Sequence, residues 1–219
     1  MTNSNIQLYY FRGRGRAEPI RILLHYLQLS YRDIFIETHE AMQALQQQGL
    51  SPFKQLPILF MDDQYLVETP AILRYLARKY HLYGHADAEK YRCDMLAAAS
   101  FDWQANYFKA IFNAEFAIDY RSILVKKYLN PLEKLLLTHR QPYFINQAPT
   151  FVDLLIFELI LNHLDMLDHC LDKHPRLTIF SKTLSAMPAL KAYLNSKDRM
   201  PFPTSTYTQT VHRILGRPS

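Results

Sequence analysis

The stretch that most constrains the fold runs from Ile6 to Ile20, where an apolar strand pattern passes through a turn of glycines and arginines into a helix start. Pro19 suits the first turn of a helix, and Leu23 and Leu27 follow Ile20 at helical spacing. The turn therefore lies where a strand end meets a helix N-terminus. Free backbone N–H groups and the positive end of the helix dipole favour an anion at such a place.

Arginines alternate with glycines in this turn. Gly13 and Gly15 allow close approach of the backbone to another group, and Arg12, Arg14 and Arg16 add positive charge. The pattern predicts an anion site. A solvated connection with three charged side chains has the same sequence, so both interpretations stay open at this point.

A dinucleotide-binding fingerprint is a third interpretation of the turn. Asp33 and Glu37 lie at the distance where such a fingerprint has its ribose-binding acid. Glu18, however, occupies the place of the third glycine, and a carboxylate there would repel a pyrophosphate. The nucleotide interpretation is therefore weak.

Two neighbouring tyrosines end the strand. Successive side chains of a strand point to opposite faces, so Tyr9 and Tyr10 cannot serve one cavity together. Only one of the two phenols is expected to take part in chemistry.

The composition is that of a globular protein with a sizeable core, since 49% of the 219 residues are hydrophobic. The sequence shows neither a signal pattern nor an apolar run long enough to span a membrane, and we expect no membrane partner. Cys93 and Cys170 are far apart, which suits a reducing compartment and a cytoplasmic location. The net charge of +5 is scattered along the chain, which argues against nucleic acid as a partner.

Strand and helix patterns alternate in the first part of the chain. Residues 31–36 predict a second strand parallel to the first, and residues 56–61 and 64–67 predict a hairpin. Thr69 and Pro70 mark a capped helix start. The polar residues 38–51 predict a mobile surface helix or loop. The order βαβ then ββα departs from a nucleotide-binding doubly wound sheet.

The rest of the chain lacks strand patterns and is predicted to be all helical. Pro131 is expected to bend or end one helix, and Thr150 with Asp153 has the form of a capping box. The predicted helices span residues 85–117, 121–139, 150–166, 175–185 and 187–195.

These motifs together resemble the cytosolic glutathione transferases, and most closely their sigma class with its prostaglandin D synthase and lens crystallin relatives. The likeness covers the whole chain and rests on four segments, residues 10–18, 52–57, 68–76 and 150–153. It implies an α/β plus all-α fold, with a thioredoxin-like domain at 1–82 that binds glutathione and an all-helical domain at 83–219 that holds the electrophile. It also implies a homodimer and a cis peptide bond before Pro57.

The resemblance implies roles for named residues. Tyr10 is expected to hydrogen-bond the glutathione sulfur, with Arg16 as an electrostatic helper. Leu56 is expected to pair its backbone with the cysteinyl unit beside Pro57. The γ-glutamyl group is expected at Glu68 and Thr69, and Asp102 is expected to reach the amino group of a ligand bound to the partner subunit.

One glutathione contact differs from the family pattern. The tryptophan and lysine that hold the glycyl carboxylate in the family fall within residues 38–51, where this chain has Gln46, Gln47 and Gln48 instead. We therefore expect weaker binding of glutathione, with Lys54 or Gln55 taking over the carboxylate contact.

The electrophile is expected to lie against six residues of the two domains. The tail 201–219 either covers this pocket or frays at the surface. The six residues are Phe11, Gly13, Gly15, Phe101, Gln104 and Phe108.

The function implied by the resemblance is conjugation of the glutathione thiolate to small hydrophobic electrophiles, in a detoxifying role. Glutathione is the substrate, and no metal is expected. A mixed-disulfide reaction has no nucleophile, because no cysteine lies near residues 9–16. Two alternatives share the motifs: a crystallin-like descendant that has lost activity, and a glutathione-dependent isomerase.

Overall fold

A computed structural model describes residues 5–139 and 141–216 of the chain. Its sheet has the strand order β2-β1-β3-β4, in which β1 is parallel to β2 and antiparallel to β3, and β3 and β4 form the predicted hairpin. This mixed sheet confirms the predicted thioredoxin-like arrangement. The strands are β1 Ile6–Tyr10, β2 Tyr31–Phe35, β3 Ile58–Met61 and β4 Gln64–Val67.

Alternation along β1 decides which tyrosine enters the core. Ile6, Leu8 and Tyr10 are buried, whereas Gln7 and Tyr9 between them are partly exposed. The two tyrosines therefore face apart, as the strand pattern predicted.

Helices pack with this sheet in the first compact unit of the chain. The segment predicted as a mobile helix or loop contains a regular helix, because Thr38 caps it through a 3.2 Å bond from the Ala41 N–H and because Met42 and Leu45 are buried. The tail forms a helix as well. The helices are α1 Glu18–Tyr26, α2 His39–Gln47, α3 Thr69–Lys79, which extends beyond the unit, and the last helix of the chain, Ser205–Ile214.

The residues that follow α3 are helical as predicted. The Asp153 carboxylate accepts 2.8 Å bonds from the N–H groups of Thr150 and Phe144, which confirms the capping box at the start of the long buried helix. The helices are α4 Asp87–Phe112, α5 Ala114–Ile123, α6 Asn130–His139, α7 Phe151–Met166, α8 Pro175–Ala186 and α9 Pro188–Leu194, so the last helix of the chain is α10.

Two helix boundaries differ from the prediction. The helix expected over 85–117 ends at Phe112, because the Asn113 side chain accepts the N–H of Phe116 at 2.9 Å and caps a new helix. The path expected to bend or end at Pro131 instead continues through a π-helical turn, Leu124–Leu129, directly before it. The wider turn changes the hydrogen-bond ladder next to a residue that has no N–H to donate.

Contacts divide the described residues into two compact units. One comprises 5–73 with 195–216, and the other comprises 74–194. The tail therefore groups with the sheet, whereas the sequence assigned it to a helical domain at 83–219. The boundary at residue 82 stays a prediction. Among the described residues, no helix combines the length and the apolar character needed to cross a bilayer.

Candidate active site

Tyr10 presents its hydroxyl to the glycine-arginine turn. The side chain is 4% exposed, and its oxygen accepts the backbone N–H of Arg16 at 2.8 Å. Burial raises the pKa of Tyr10 above its ordinary value, although the Arg16 N–H and the Arg16 charge oppose this change. The phenol is therefore neutral at pH 7 and has a hydrogen to donate.

Tyr9 has a different environment on the other face of the strand. Its hydroxyl donates to the side-chain oxygen of Gln7 at 2.9 Å, and its ring lies near the ring of Tyr65. Tyr9 does not meet the turn that Tyr10 meets.

The two glycines of the turn make room for two tyrosine side chains. A Cβ atom on Gly15 would lie 2.2 Å from the Tyr10 hydroxyl, and one on Gly13 would lie 2.1 Å from the ring of Tyr207 in α10. Gly15 also has a φ of +43°, which suits glycine. Aromatic rings approach this backbone closely, so its glycines are explained without a pyrophosphate.

The structure does not bring the three arginines of the turn together at one place. Arg12 pairs with Glu37 at 2.7 Å on the surface, and Arg14 donates to the carbonyl of Met200 at 2.7 Å. Arg16 alone of the three lines the neighbouring cavity. Glu37, one of the acids considered for a ribose, therefore serves an arginine instead.

Arg21 is a residue that the sequence analysis missed. Its fully buried guanidinium donates to the Gly13 carbonyl at 2.9 Å and to both carboxylate oxygens of Asp33, and it lies 3.3 Å from Glu18. These contacts of Arg21 hold the glycine-arginine turn in place. The (i, i+3) spacing of Glu18 and Arg21 was a usable signal, but nothing in the sequence joined the pair to Gly13.

A cavity beside the turn is lined by most of the residues predicted to hold glutathione. The bond between Leu56 and Pro57 is cis, as expected. Lys54 is on the same loop, but it is exposed and is not among the described residues that line the cavity. The predicted residues that line it are Arg16, Gln55, Leu56, Pro57, Glu68 and Thr69.

Glu68 and Thr69 shape the start of α3. Glu68 has a φ of +67°, a conformation that side chains rarely adopt and that often marks a ligand site. The buried hydroxyl of Thr69 donates to the Arg16 carbonyl at 3.0 Å. Thr69 thus anchors the turn that carries Arg16, and its hydroxyl hydrogen is already used.

Asp102 lies on α4 in the helical unit, where it has partners within its own chain. Its carboxylate accepts the Tyr128 hydroxyl at 2.8 Å and lies 2.7 Å from the ammonium nitrogen of Lys127. The hydrogen bond from Lys127 lowers the pKa of Asp102, so the group is ionised at neutral pH.

The residues expected to line the electrophile pocket lie in both units. Phe11 is buried in the first unit beside Tyr10, with ring centroids 5.0 Å apart. On α4, Phe101 and Phe108 are partly exposed and Gln104 is buried, at the spacing of one helix face.

Cysteine and metal chemistry have little support in the described part of the chain. Cys93 and Cys170 are buried and unpaired with each other, and burial raises their pKa values to about 12 and about 11. The described residues contain no cluster of three or more potential metal ligands.

Family models match both parts of the chain. The model for the glutathione S-transferase N-terminal domain matches residues 5–78, and the model for the C-terminal domain matches residues 101–197.

Curated relatives match almost the full chain. Glutathione S-transferase 3 from Gallus gallus is 33% identical over 95% of this chain and 93% of its own length. Glutathione S-transferase alpha-4 from Rattus norvegicus and A4 from Mus musculus are also 33% identical, over 95% of this chain and 97% of theirs. The expected likeness to the sigma class in particular is not supported, because the named classes among these relatives are alpha.

Proposed function

Since the chain belongs to the glutathione S-transferase family and is a glutathione transferase, we propose that Tyr10 stabilises the thiolate of its substrate, glutathione, for attack on a small hydrophobic electrophile. One observation carries this assignment. Tyr10 is buried and neutral, and its oxygen is held by the N–H of Arg16, a residue that also lines the cavity.

The energy that such a site must supply is modest. An unperturbed cysteine thiol has a pKa of about 8.5, so only about 3% of it is thiolate at pH 7. A hydrogen bond to a charged group contributes about 1.5 to 3 kcal/mol, and each 1.36 kcal/mol is one pKa unit. One phenol therefore lowers the thiol pKa by about one to two units, which converts about a quarter to three quarters of it to thiolate.

Tyr10 acts in this proposal as a hydrogen-bond donor and not as a base. Its raised pKa keeps the proton on the phenol at pH 7, so the hydrogen points to the sulfur while the oxygen accepts the Arg16 N–H. The Arg16 side chain adds positive charge to the same edge of the cavity, which further favours the anion.

The tripeptide occupies the cavity beside the turn. Leu56 pairs its backbone with the cysteinyl unit, and the γ-glutamyl group lies at the start of α3, where the backbone N–H groups favour a carboxylate. Gln55 and Arg16 are the better placed partners for the glycyl carboxylate, because Lys54 does not line the cavity.

The active unit in this proposal is a homodimer. Phe53 supports it, because this large aromatic side chain is 64% exposed although it lines the glutathione cavity. Asp102 serves the ammonium of a ligand bound to the partner subunit, while sharing its charge with Lys127. If Asp102→Ala leaves glutathione affinity unchanged in a preparation shown to be dimeric, Asp102 has only its own chain's contacts.

Electrophiles are held by residues of both predicted domains, 1–82 and 83–219. We assign Phe11, Gly13 and Gly15 to this pocket from the first, and Phe101, Gln104 and Phe108 from the second. The named relatives support an alpha-class type of transferase. A detoxifying role is part of this proposal. Two free buried cysteines support a cytoplasmic location.

Binding and turnover test this proposal together. The protein should be retained on immobilised glutathione and should convert an aryl halide to a thioether, with the sulfur–carbon bond formed as halide leaves. Retention without turnover of any electrophile would indicate a crystallin-like descendant. Turnover that regenerates all the glutathione would indicate an isomerase. A protein that neither binds immobilised glutathione nor turns over an electrophile would contradict the proposal.

A further inference from the structure

A second phenol lies beside Tyr10. Helix α10 brings the ring of Tyr207 onto the backbone of Gly13, where a Cβ atom would lie 2.1 Å from it, and the Tyr207 hydroxyl is hydrogen-bonded to that of Tyr10. The absence of a side chain at Gly13 therefore allows the turn near the N-terminus to contact Tyr207 in α10.

Several contacts hold α10 in the place that this geometry requires. Val211 and Ile214 are buried on its inner side, and the Ile214 carbonyl bonds the ring of His39 at 2.9 Å. Just before the helix, the Met200 carbonyl accepts the Arg14 side chain at 2.7 Å. Tyr207 is therefore held in place by the packed helix α10, which the turn helps to anchor through Arg14.

The hydrogen-bonding capacity of one hydroxyl sets the direction of the contact. A phenol accepts through two lone pairs and donates one hydrogen. The Tyr10 oxygen already accepts the N–H of Arg16 at 2.8 Å. When the Tyr10 hydrogen points to a thiolate, the bond between the two phenols has to run from Tyr207 to the second lone pair of Tyr10.

We propose that Tyr207 is a positioning residue for the conjugation reaction, because its hydroxyl donates to Tyr10 and makes Tyr10 a stronger hydrogen-bond donor to the glutathione thiolate. The proposal rests on the assigned role of Tyr10. Tyr207 itself forms no bond to the sulfur.

Electrostatics support this direction of action. The hydrogen bond from Tyr207 lowers the pKa of Tyr10, against the larger effect of burial. A more acidic phenol is a stronger donor, and successive hydrogen bonds polarise one another by about 10 to 30% per bond. Because the effect is transmitted through Tyr10, it should be smaller than that of the direct bond, about two- to fivefold in the ratio of thiolate to thiol.

The variant Tyr207→Phe removes the hydroxyl and keeps the ring over Gly13. With saturating glutathione, we expect the apparent pKa of the bound thiol to rise by about 0.3 to 0.7 units, the equivalent of that two- to fivefold effect. It is read from the pH-rate profile and from the ultraviolet absorbance of the thiolate. The dissociation constant of glutathione should change little. Tyr9→Phe is the matched control, because it removes a phenol from the opposite face of β1.

A double variant separates this proposal from the role of Tyr10. In the Tyr10→Phe background, Tyr207→Phe should have no further effect on the thiol pKa. If Tyr10→Phe shifts the thiol pKa but Tyr207→Phe alone does not, the proposal fails and the role of Tyr10 stands. If Tyr10→Phe itself causes no shift, both fail.

Two further results would also overturn the proposal. A faster reaction in Tyr207→Phe would mean that the hydroxyl occupies the place of the sulfur. A change confined to the KM of the electrophile, with an unchanged thiol pKa, would mean that Tyr207 contacts the second substrate instead.

Discussion

Tyr10 and Tyr120 are both buried tyrosines with hydrogen-bonded hydroxyls, but their bonds differ in direction. Tyr120, on α5, lies 2.8 Å from Nε2 of His163, whose Nδ1 lies 2.5 Å from the Leu159 carbonyl. A carbonyl only accepts, so Nδ1 carries the ring hydrogen and Tyr120 donates to Nε2. The Tyr10 oxygen accepts the N–H of Arg16, and in the proposed mechanism the phenol hydrogen points to the ligand.

Burial and residue type alone therefore do not distinguish the phenol that we propose for catalysis, Tyr10, from the structural phenol of Tyr120. The Tyr120 chain of hydrogen bonds ends at a backbone carbonyl, and burial lowers the pKa of His163 to about 4, so the pair stays neutral. This series of hydrogen bonds, in which every donor has an acceptor, stabilises the helical unit. In the proposed mechanism, the hydrogen bonds of Tyr10 begin at a backbone donor, the Arg16 N–H, and end at the substrate.

The largest expected effect comes from Gly15→Ala. The new Cβ would lie 2.2 Å from the Tyr10 hydroxyl, so the phenol must move away from both the Arg16 N–H and the sulfur. We expect the conjugation rate at pH 7 to fall by at least about 100-fold, the factor for about 3 kcal/mol.

Gly49→Ala is the matched control for Gly15→Ala. Gly49 also has a positive φ, +73°, but its added Cβ would meet nothing within 4 Å. Both variants carry the backbone strain of about 1 kcal/mol, and only one carries the clash. Equal rates in the two variants would show that strain alone, and not the position of Tyr10, controls activity.

A pH-dependent loss of stability is expected from His163, which lies in the hydrogen-bonded series Tyr120–His163–Leu159 of the helical unit. The pKa of His163 is about 4 in the fold and 6.5 in its ordinary state, so between these values the unfolded chain binds the additional proton. His163 therefore stabilises the fold fully above pH 6.5, and this contribution is lost as the pH falls towards 4. The loss amounts to about 3 kcal/mol.

Urea unfolding at a fixed protein concentration measures this loss. His163→Gln removes the titrating ring, so its free energy of unfolding should fall less steeply between pH 6.5 and 4 than that of the parent. Parallel curves for the two proteins would place the pH dependence elsewhere.

A smaller effect distinguishes two neighbours at the glutathione cavity. Gln55 lines it and Lys54 does not, so Gln55→Ala should weaken glutathione binding by up to about tenfold, the equivalent of one hydrogen bond. Lys54→Ala should change it less, because an exposed charge is screened by water and salt. Titration calorimetry measures both. A larger loss in Lys54→Ala would restore the original expectation that Lys54 holds the glycyl carboxylate.

Local patterns predicted the parts of this molecule that depend on neighbouring residues. Strand alternation separated Tyr9 from Tyr10, and capping chemistry located the helix start at Thr150. The family motifs placed Leu56 and Pro57 at the cavity with a cis bond.

Contacts between distant residues could not be predicted in the same way. Arg14 and Arg12 have the same sequence context as Arg16, but their partners Met200 and Glu37 come from other segments. Tyr207 meets Gly13 across almost the whole chain, and no local pattern encodes that distance. The sequence identified the glycine-arginine turn as a candidate site. Only the fold shows which distant residues contact it.

The pH-rate profile of Tyr10→Phe, compared with that of Tyr120→Phe, tests the central claim most directly. Tyr10→Phe should lower the conjugation rate at pH 7 by about 10- to 100-fold, and the rate should recover as the pH rises towards the pKa of free glutathione, since hydroxide then removes the proton. Tyr120→Phe should lose about 1 to 3 kcal/mol of stability, because Nε2 of His163 loses its donor, and should keep the parent profile. An unchanged profile in Tyr10→Phe would contradict the account and place thiolate stabilisation at Arg16 and the backbone N–H groups of the turn.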